Sequence, residues 1–293
     1  MGLILDILCL LNSDRECEFK NYTSGLLNFH FAHHTSKLCE DYTDAITPVV
    51  FVQLEALSGA QCLTDLMQLK ADKNCLLVLL SERADKDVSS ELVKLIDMHV
   101  SCDTELSSLF RAIELITIHE AQNIDDETRK KLIRERFLSL KNLQLVFRTI
   151  AQTDKIADII ALGSPICDHL KIGLFELLVN AVEHGNLEIG YDKKSELLEK
   201  GTLIEEIQIR QNDEKYRDRT VRVDIKTVGE ELKISIIDQG KGFNPEPFFD
   251  FKPEKLLLPH GRGILLARSS VFTGLEYSAK GNQVTVTLDI KDY

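Results

Sequence analysis

The sequence predicts an α/β protein of two domains, and three observations carry this prediction. The length of 293 residues is about twice that of a typical domain. In residues 1–118, apolar β-rich runs alternate with segments of helical periodicity, which is typical of a parallel sheet with helices on both faces. Twelve of the fifteen glycines and five of the six prolines follow residue 160. We therefore expect the ligand-binding loops in the second half.

The elements of the first domain follow from its alternating pattern. The first apolar run is short and carries Asp6, so it predicts a buried strand rather than a membrane span or a signal peptide. We expect strands at Leu3–Leu11, Leu27–Phe31, Pro48–Leu54, Cys75–Leu80 and Met98–Ser101, and helices at Ala60–Lys70, Ser89–Met98 and Thr104–Thr117.

This order of elements in residues 1–118 resembles the response-regulator receiver, a flavodoxin-like fold whose site lies at the carboxyl ends of its strands. The resemblance implies an acidic cluster for Mg²⁺, an aspartate nucleophile, a Ser/Thr and a Lys. Gln53 stands at the nucleophile's position, Ser81 fits the Ser/Thr position, and Cys102 falls near that of the Lys. Asp14 alone remains near the end of the first strand. Because glutamine cannot be that nucleophile, we expect a degenerate receiver that serves as an interaction or dimerisation module.

Charge and cysteine content narrow the range of partners and compartments. Residues 1–118 carry 9 Lys/Arg and 18 Asp/Glu, a net charge of −9, which disfavours nucleic acid as a partner. Six of the seven cysteines lie in the first 102 residues and none forms a CxxC pair. This pattern favours reduced thiols in a cytoplasmic protein.

Three histidines near one cysteine raise the question of a metal site. His30, His33 and His34 precede Cys39 by a few residues. Histidines at alternating strand positions more often pack or face solvent, and no further ligands can be named. We therefore predict no zinc site.

A charged connector is expected at residues 119–144. Ile133, Phe137 and Leu140 stand at helical spacing among many charged residues, which predicts a solvated helix with one apolar stripe. The stripe could pack on either domain or pair with a second copy, so a homodimer is possible. His119 alone does not indicate a sensor histidine kinase, because those proteins need two long helices here.

The first chemical pattern of the second half is the stretch Phe175–Gly185, on a helix expected to begin near Asp168. Glu176, Asn180 and Glu183 are spaced i, i+4 and i+7, so an α-helix would place them on one face. Oxygen-bearing side chains aligned on an otherwise apolar helix suggest a hard-cation or phosphate site. Alone, such a stripe is more often a solvated face.

Two further glycine-bearing stretches follow. After the expected strand Leu232–Ile237, Asp238 stands beside Gly240 and Gly242, which puts a hydrogen-bond acceptor next to backbone that a flat ligand can approach. In the third stretch a Gly-x-Gly turn opens a helix, whose free amides and dipole favour an anion. This third stretch contains Gly261, Arg262 and Gly263.

A fourth stretch, Gly281–Thr285, leads into the expected last strand Gln283–Ile290. Together and in this order, the four stretches resemble the Bergerat-type (GHKL) ATP-binding fold of histidine kinases and related ATPases. Within it they resemble most the anti-sigma-factor serine kinases. The likeness covers residues 145–293 and implies an α/β sandwich that begins with a strand at Phe147–Thr149.

The resemblance implies roles for the site residues. Asn180 would coordinate the Mg²⁺ that bridges the ATP phosphates, and Glu176 would be the catalytic base. Asp238 would accept a hydrogen bond from the adenine amino group, and His184 would have a supporting role. The remaining nucleotide contacts would come from Gly240, Gly242, Gly261, Gly263 and, near the γ-phosphate, Arg262.

Three regions depart from the motifs or lie between them. Asn282 replaces the threonine that the family usually carries before the last strand. The proline-rich segment Asn244–His260 predicts a lid over the nucleotide. The charged insertion Leu187–Arg219 is expected to be helical and peripheral.

The expected function is therefore that of a Mg-ATP-binding signalling protein. The first hypothesis is a serine/threonine protein kinase of the anti-sigma-factor type that acts on an antagonist-like partner protein. The expected partner is an anti-sigma antagonist, a sigma factor or another signalling protein. The alternative is a nucleotide-gated regulator that binds a partner with little or no phosphotransfer. Neither hypothesis involves nucleic acid or a membrane.

Overall fold

The structure is a computed structural model, and the chain divides into two compact units, residues 1–137 and 138–293. This division falls inside the segment 119–144 that the sequence assigns to a connector. Among the described residues, no helix is long and apolar enough to cross a membrane. The residues that the structure describes are 5–22, 27–35, 38, 49–57, 61–72, 75–81, 89–101, 106–121, 124–162, 167–246 and 272–289.

The first unit is built on a parallel sheet, and the alternation of strands and helices predicted for it is confirmed. Its strands are β1 (Leu5–Leu10), β2 (Leu27–Ala32), β3 (Val49–Gln53), β4 (Leu76–Ser81) and β5 (Met98–Ser101). Its helices are α1 (Ser13–Asn21), α2 (Gln61–Asp72), α3 (Ser90–Leu95), α4 (Leu106–Glu120) and α5 (Asp126–Leu138). The strand order is β2-β1-β3-β4-β5, and all these neighbours pair in parallel.

Both faces of this sheet are covered. Val52 and Leu79 lie in one buried cluster with Leu66 of α2 and Leu92 of α3. On the other side of the strands, α4 contacts β1, β3 and β5. Strands buried on both faces explain why β3 and β4 consist almost entirely of apolar residues.

Helix α5 is the helix with one apolar stripe that was expected in the connector, and of the alternatives left open for its packing the structure shows packing within the first unit. The Arg129 guanidinium caps the end of α4, donating to the carbonyl oxygens of Ala121 at 2.7 Å and Ile124 at 3.2 Å. Ile133 and Phe137 are buried, so most of the predicted apolar stripe is already covered. The helix ends at Leu138, so Leu140 is not part of that helical stripe.

The second unit contains an antiparallel sheet of order β6-β7-β8-β10-β9. Burial alternates along β7, β8 and β10, so one face of the sheet is buried. The buried faces of the packed helices α6 and α7 complete this core. The elements are β6 (Leu143–Phe147), α6 (Ile150–Ala161), α7 (Cys167–Asn180), α8 (Tyr191–Lys200), α9 (Leu203–Asn212), β7 (Val221–Val228), β8 (Glu231–Ile237), β9 (Gly274–Tyr277) and β10 (Gln283–Asp289).

Two expectations about this unit can be compared with the structure. The first strand was predicted at Phe147–Thr149, but it occupies Leu143–Phe147. Thr149 instead precedes α6, and its amide donates to Gln152 Oε1 at 3.1 Å, because a Thr-x-x-Gln sequence forms a capping box. The insertion Leu187–Arg219 is helical, as predicted, and forms α8 and α9.

Candidate functional site

The candidate site begins on α7. Glu176 and Asn180 lie one helical turn apart near the end of this helix, and both are partly exposed. Buried leucines such as Leu174 and Leu178 hold the opposite side of the helix in the core. The Asn180 side chain makes no hydrogen bond with the rest of the described chain. Its amide oxygen therefore remains available to a ligand.

The helix changes its winding immediately after Asn180. Residues Ala181–Asn186 form a π-helical turn, in which the Leu187 amide donates to the Val182 carbonyl at 2.8 Å. A π-turn of this kind is rare and often marks a functional site. The wider winding changes the angular spacing, so the predicted α-helical face of three polar residues does not extend to Glu183. The Glu183 carboxylate is buried and pairs with Lys194 Nζ at 2.5 Å.

The π-turn brings Gly185 against Asp238, the residue that follows β8. A Cβ atom on Gly185 would lie 2.6 Å from Asp238 Oδ1, so a larger residue could not be accommodated without movement. The Gly240 amide donates to the same Oδ1 at 2.8 Å. The first two sequence stretches therefore meet at the Asp238 carboxylate, although Gly185 and Asp238 are 53 residues apart in the chain.

The fourth stretch joins the same place. The Asp238 amide donates to the Asn282 carbonyl oxygen, and Asn282 Nδ2 donates to the Asp238 carbonyl oxygen, each at 3.0 Å. Gly242 has a φ of 78°, and a Cβ atom there would overlap the Lys280 carbonyl. Lys280 Nζ donates to the Gly240 carbonyl at 3.2 Å. Asn282 thus holds the backbone of the turn that carries Asp238.

The carboxyl of Asp238 is electrostatically unusual. Partial burial raises its pKa to about 6, against the opposing effects of the Gly240 hydrogen bond and of the Lys280 and Arg219 charges. Burial, together with the nearby Asp238 charge, also raises the pKa of Tyr277. A carboxyl with a raised pKa beside glycine-rich backbone is a functional-site candidate.

Two aromatic rings that the sequence analysis did not single out lie at the same turn. Phe243 directly follows Gly242 and meets the ring of Tyr277 edge-on, with 5.3 Å between centroids. Phe243 remains 38% exposed, so part of its apolar surface is available to a ligand. Aromatic and apolar surface beside one acceptor suits a flat ligand with an amino group. In the sequence, only the position of Phe243 directly after Gly240-Lys241-Gly242 could have indicated that this ring belongs to the site.

A cluster of cations surrounds Glu188, just beyond the π-turn. Glu188 has a φ of 52°, in the left-handed region that few glutamates adopt. Burial alone would raise the pKa of its carboxyl, but hydrogen bonds from three cations lower it to about 2. These cations are Lys215 at 3.1 Å, Arg219 at 3.0 Å and Lys241 at 3.3 Å. Sequence reasoning missed this cluster, because three of its four members lie in the insertion.

The corresponding edge of the first unit has a different character. Gln53 ends β3 fully buried, and its Oε1 accepts a hydrogen bond from the Asn12 amide at 2.9 Å. Ser81 Oγ lies 2.7 Å from His99 Nε2, and both side chains are buried. Asp14 is exposed on α1. Gln53 therefore acts here as a buried support for the loop after β1.

Several predicted site residues lie outside the described residues. These are Gly261, Arg262 and Gly263 of the third stretch, the lid beyond Glu246, and Cys39 and Cys102 of the first domain. The site described above thus rests on the other three stretches.

In comparisons with known proteins, no protein-family model matches the chain, and no curated protein matches it.

Proposed function

We propose that the second unit binds Mg-ATP and transfers the γ-phosphoryl group to a serine or threonine of a protein partner. One observation carries this proposal: three separate sequence stretches meet at Asp238. Gly185 lies against its side chain, the Gly240 amide binds its carboxylate, and Asn282 holds its backbone. An α/β sandwich with incidental glycine turns would give no reason for this convergence.

The fold is consistent with the resemblance on which the proposal builds. An antiparallel sheet with one buried face and packed helices α6 and α7 agrees with a sandwich of the GHKL type. In the first unit, the order β2-β1-β3-β4-β5 is that of flavodoxin-like folds, to which receivers belong. We therefore interpret the protein as a receiver-like module joined to a kinase of the anti-sigma-factor type.

The nucleotide base would be recognised at the Asp238 turn. An ionised carboxylate only accepts hydrogen bonds, so Asp238 would select the amino group of adenine. Gly240 and Gly242 would let the backbone approach the ring, and Phe243 would contribute apolar surface at its edge. Asn180 would hold the phosphates through Mg²⁺, and the resemblance assigns further phosphate contacts to Gly261, Arg262 and Gly263.

The residues of α7 fit a role in phosphoryl transfer. Mg²⁺ usually takes one or two protein oxygens and completes its shell with phosphates and water, which the available Asn180 oxygen can satisfy. Bound there, Mg²⁺ would neutralise phosphate charge. Glu176 would accept the proton of the attacking hydroxyl, while the bond from the γ-phosphorus to ADP breaks and the bond to the hydroxyl oxygen forms.

The first unit would recruit or respond to a partner rather than accept phosphate. Its would-be nucleophile position holds Gln53, which is fully buried and bound to backbone. The partner would be a protein, in keeping with an antagonist-like or other signalling protein.

Two measurements test the proposal. Calorimetry with ATP, ADP and GTP, with and without Mg²⁺, should show Mg²⁺-dependent ATP binding that Asn180→Ala abolishes. With radiolabelled ATP and an antagonist-type protein as substrate, Glu176→Gln should reduce phosphotransfer by about 100-fold or more and leave ATP affinity nearly unchanged.

Glu196→Gln on the exposed side of α8 is the matched control and should behave as the parent. Absence of ATP binding would overturn the whole proposal. ATP binding with no transfer to any serine or threonine would leave the nucleotide-gated regulator as the correct function.

A further inference from the structure

Arg219 is joined to the candidate site by a closed ring of hydrogen bonds. Its Nη1 donates to the Asn186 carbonyl oxygen at 2.8 Å. The Asn186 side-chain oxygen accepts a hydrogen bond from the backbone amide of Gln239 at 2.8 Å. The Gln239 side-chain oxygen Oε1 in turn accepts one from the backbone amide of Thr220 at 3.0 Å. Because Thr220 follows Arg219 in the chain, the ring is closed. It connects the π-turn, the residue after Asp238 and the start of β7.

The guanidinium of Arg219 is held from other sides as well. It forms an ion pair with Glu188 at 3.0 Å and lies over the Tyr216 ring at 5.1 Å from the centroid. Asn186, its partner in the ring, is almost completely buried. A cation fixed in this way exerts a constant field on its surroundings, unlike a mobile surface lysine.

The groups that face Asp238 come from several elements. Lys280 and Arg219 contribute positive charge, and the Gly240 amide donates a hydrogen bond. The Tyr277 hydroxyl is close enough that the Asp238 charge raises its pKa. Both cations lower the pKa of Asp238, against the burial that raises it. Of the two, only Arg219 is part of the ring that also sets the position of the turn.

We propose that Arg219 is a positioning residue that holds the Asp238 turn against the π-turn and supplies charge that favours the carboxylate, so that the site prefers a 6-amino purine over a 6-oxo purine. The inference rests on the proposed nucleotide-binding function. A carboxylate can only accept from the base, whereas a protonated carboxyl can also donate to a 6-oxo group. Loss of Arg219 should therefore weaken the discrimination between the two bases.

The sign of the pH effect follows from the charge. Without Arg219, the pKa of Asp238 should move above its present value of about 6. The carboxyl then becomes protonated at a higher pH. As the pH is lowered, ATP affinity should therefore begin to fall at a higher pH in the Arg219 variant than in the parent.

The experiment compares Arg219→Gln with Arg217→Gln in the whole chain of 293 residues. Arg217 is exposed and lies 3.8 Å from the Asp218 carboxylate, a long ion pair, which makes it a matched control. The titration midpoint of Asp238 is measured by NMR of carboxyl-labelled protein without nucleotide, with Asp238→Asn assigning the signal. The affinities for ATP and inosine triphosphate (ITP) are measured by calorimetry across the neutral pH range.

We expect Arg219→Gln to raise the Asp238 midpoint and to lower the ATP preference over ITP by about tenfold, an energy of about 1.4 kcal/mol. Arg217→Gln should match the parent in both. An unchanged midpoint or an unchanged ATP preference in Arg219→Gln would overturn the role of Arg219. A parent protein that binds no nucleotide would overturn the proposed function instead, and the midpoint would still report on Arg219.

Arg219→Lys is the second variant if Arg219→Gln does not fold. Lysine keeps the charge but lacks the planar guanidinium, which lies over the Tyr216 ring while its Nη1 donates to both the Asn186 carbonyl oxygen and Glu188. Its midpoint should stay near that of the parent while ATP affinity falls by about threefold or more, on the scale of one lost hydrogen bond. Unchanged ATP affinity in this variant would contradict the positioning role.

Discussion

Each unit has a polar side chain at the end of a sheet strand, and the two side chains differ in their burial and in their hydrogen bonding. Gln53 at the end of β3 is fully buried, and its oxygen is bound by the Asn12 amide. Asp238 after β8 is only partly buried, and its pKa is raised to about 6. The first arrangement stabilises a loop, whereas the second keeps a carboxylate at an energetic disadvantage. Such a disadvantage is expected where a ligand later compensates for it.

Two glycines allow the backbone to come close to the Asp238 turn. Gly185 allows the π-turn to approach the Asp238 carboxylate, and Gly242 adopts a positive φ beside the Lys280 carbonyl. The three glycines of the first unit lie outside the described residues, and the described strands β3 and β4 around Gln53 are apolar. Gln53 is thus enclosed within the protein, whereas the Asp238 turn is built from close contacts of glycine backbone.

The strongest test of the comparison is to place an aspartate in the first unit. Gln53→Asp should destabilise the protein by about 3 kcal/mol or more at neutral pH, because an unpaired carboxylate would be buried. Burial raises the pKa of such a group, so the loss should shrink as the pH falls. Denaturant unfolding at several pH values measures this, with the exposed Gln208→Asp as control. A stable variant that accepts phosphate from acetyl phosphate would show that the first unit is a working receiver.

A substitution at Gly185 tests the close approach in the second unit. Gly185→Ala would place a methyl group 2.6 Å from Asp238 Oδ1, so we expect a loss of about 1–3 kcal/mol in stability and a marked loss of ATP affinity. Gly190→Ala is the control, since nothing lies within 4 Å of its added methyl group. Equal behaviour of the two variants in thermal unfolding and calorimetry would contradict the packing of the π-turn on Asp238.

Removal of the Asp238 charge should raise the stability of the protein and lower its affinity for ATP. The rise of its pKa from 3.8 to about 6 means that the ionised form is disfavoured in the folded protein. That rise corresponds to about 3 kcal/mol in full, which contact with solvent reduces to about 1–2 kcal/mol. Asp238→Asn should therefore be more stable than the parent above pH 6 and equal to it below pH 3.8.

The same variant should lose ATP affinity, because an amide presents a donor as well as an acceptor to the base. Chemical unfolding as a function of pH, together with calorimetry, measures both effects. A variant that is less stable than the parent at neutral pH would show that the carboxylate is structural, as Gln53 is.

The smallest expected effect concerns Glu188. Its pKa lies at about 2 in the folded protein and at 4.5 in the unfolded chain, so its ion pairs contribute stability fully above pH 4.5. This contribution is lost as the pH falls toward 2. Glu188→Gln should cost up to about 1 kcal/mol at neutral pH, since exposed pairs are screened by water. Unfolding at low and neutral pH checks this, and a constant difference across that range would rule out the ion pairs as its cause.

Local sequence patterns predicted much of the fold. Apolar alternation located β8 and β10 to within one residue, and helical spacing located α7 with its start at Cys167 beside the expected Asp168. The boundary at β6 was wrong, because the capping box at Thr149 was not considered. The helix with one apolar stripe after residue 119 was predicted too, but the sequence left open what its stripe packs against, and Ile133 and Phe137 are buried.

The candidate site was predicted as separate pieces and not as an arrangement. Asp238 and Gly240 were identified from an aspartate followed by glycines at a strand end. The roles of Asn282 and Arg219 were missed, since they act on Asp238 and Asn186, which lie 44 and 33 positions away. No local pattern marks such partners. The π-turn was missed too, because an α-helical period was assumed through Glu183.

What the sequence by itself determined is the alternation of elements, the concentration of glycines in the second half and the identity of the chemical groups. These depend on neighbours within a few residues, since periodicity and turn chemistry are local properties. Only the tertiary structure decided that Gln53 is sealed within the protein while Asp238 remains partly open. It also decided that Arg219 is joined to the Asp238 turn. Burial and long-range hydrogen bonds arise from how distant segments pack, and they set both the pKa of a carboxyl and its availability to a ligand.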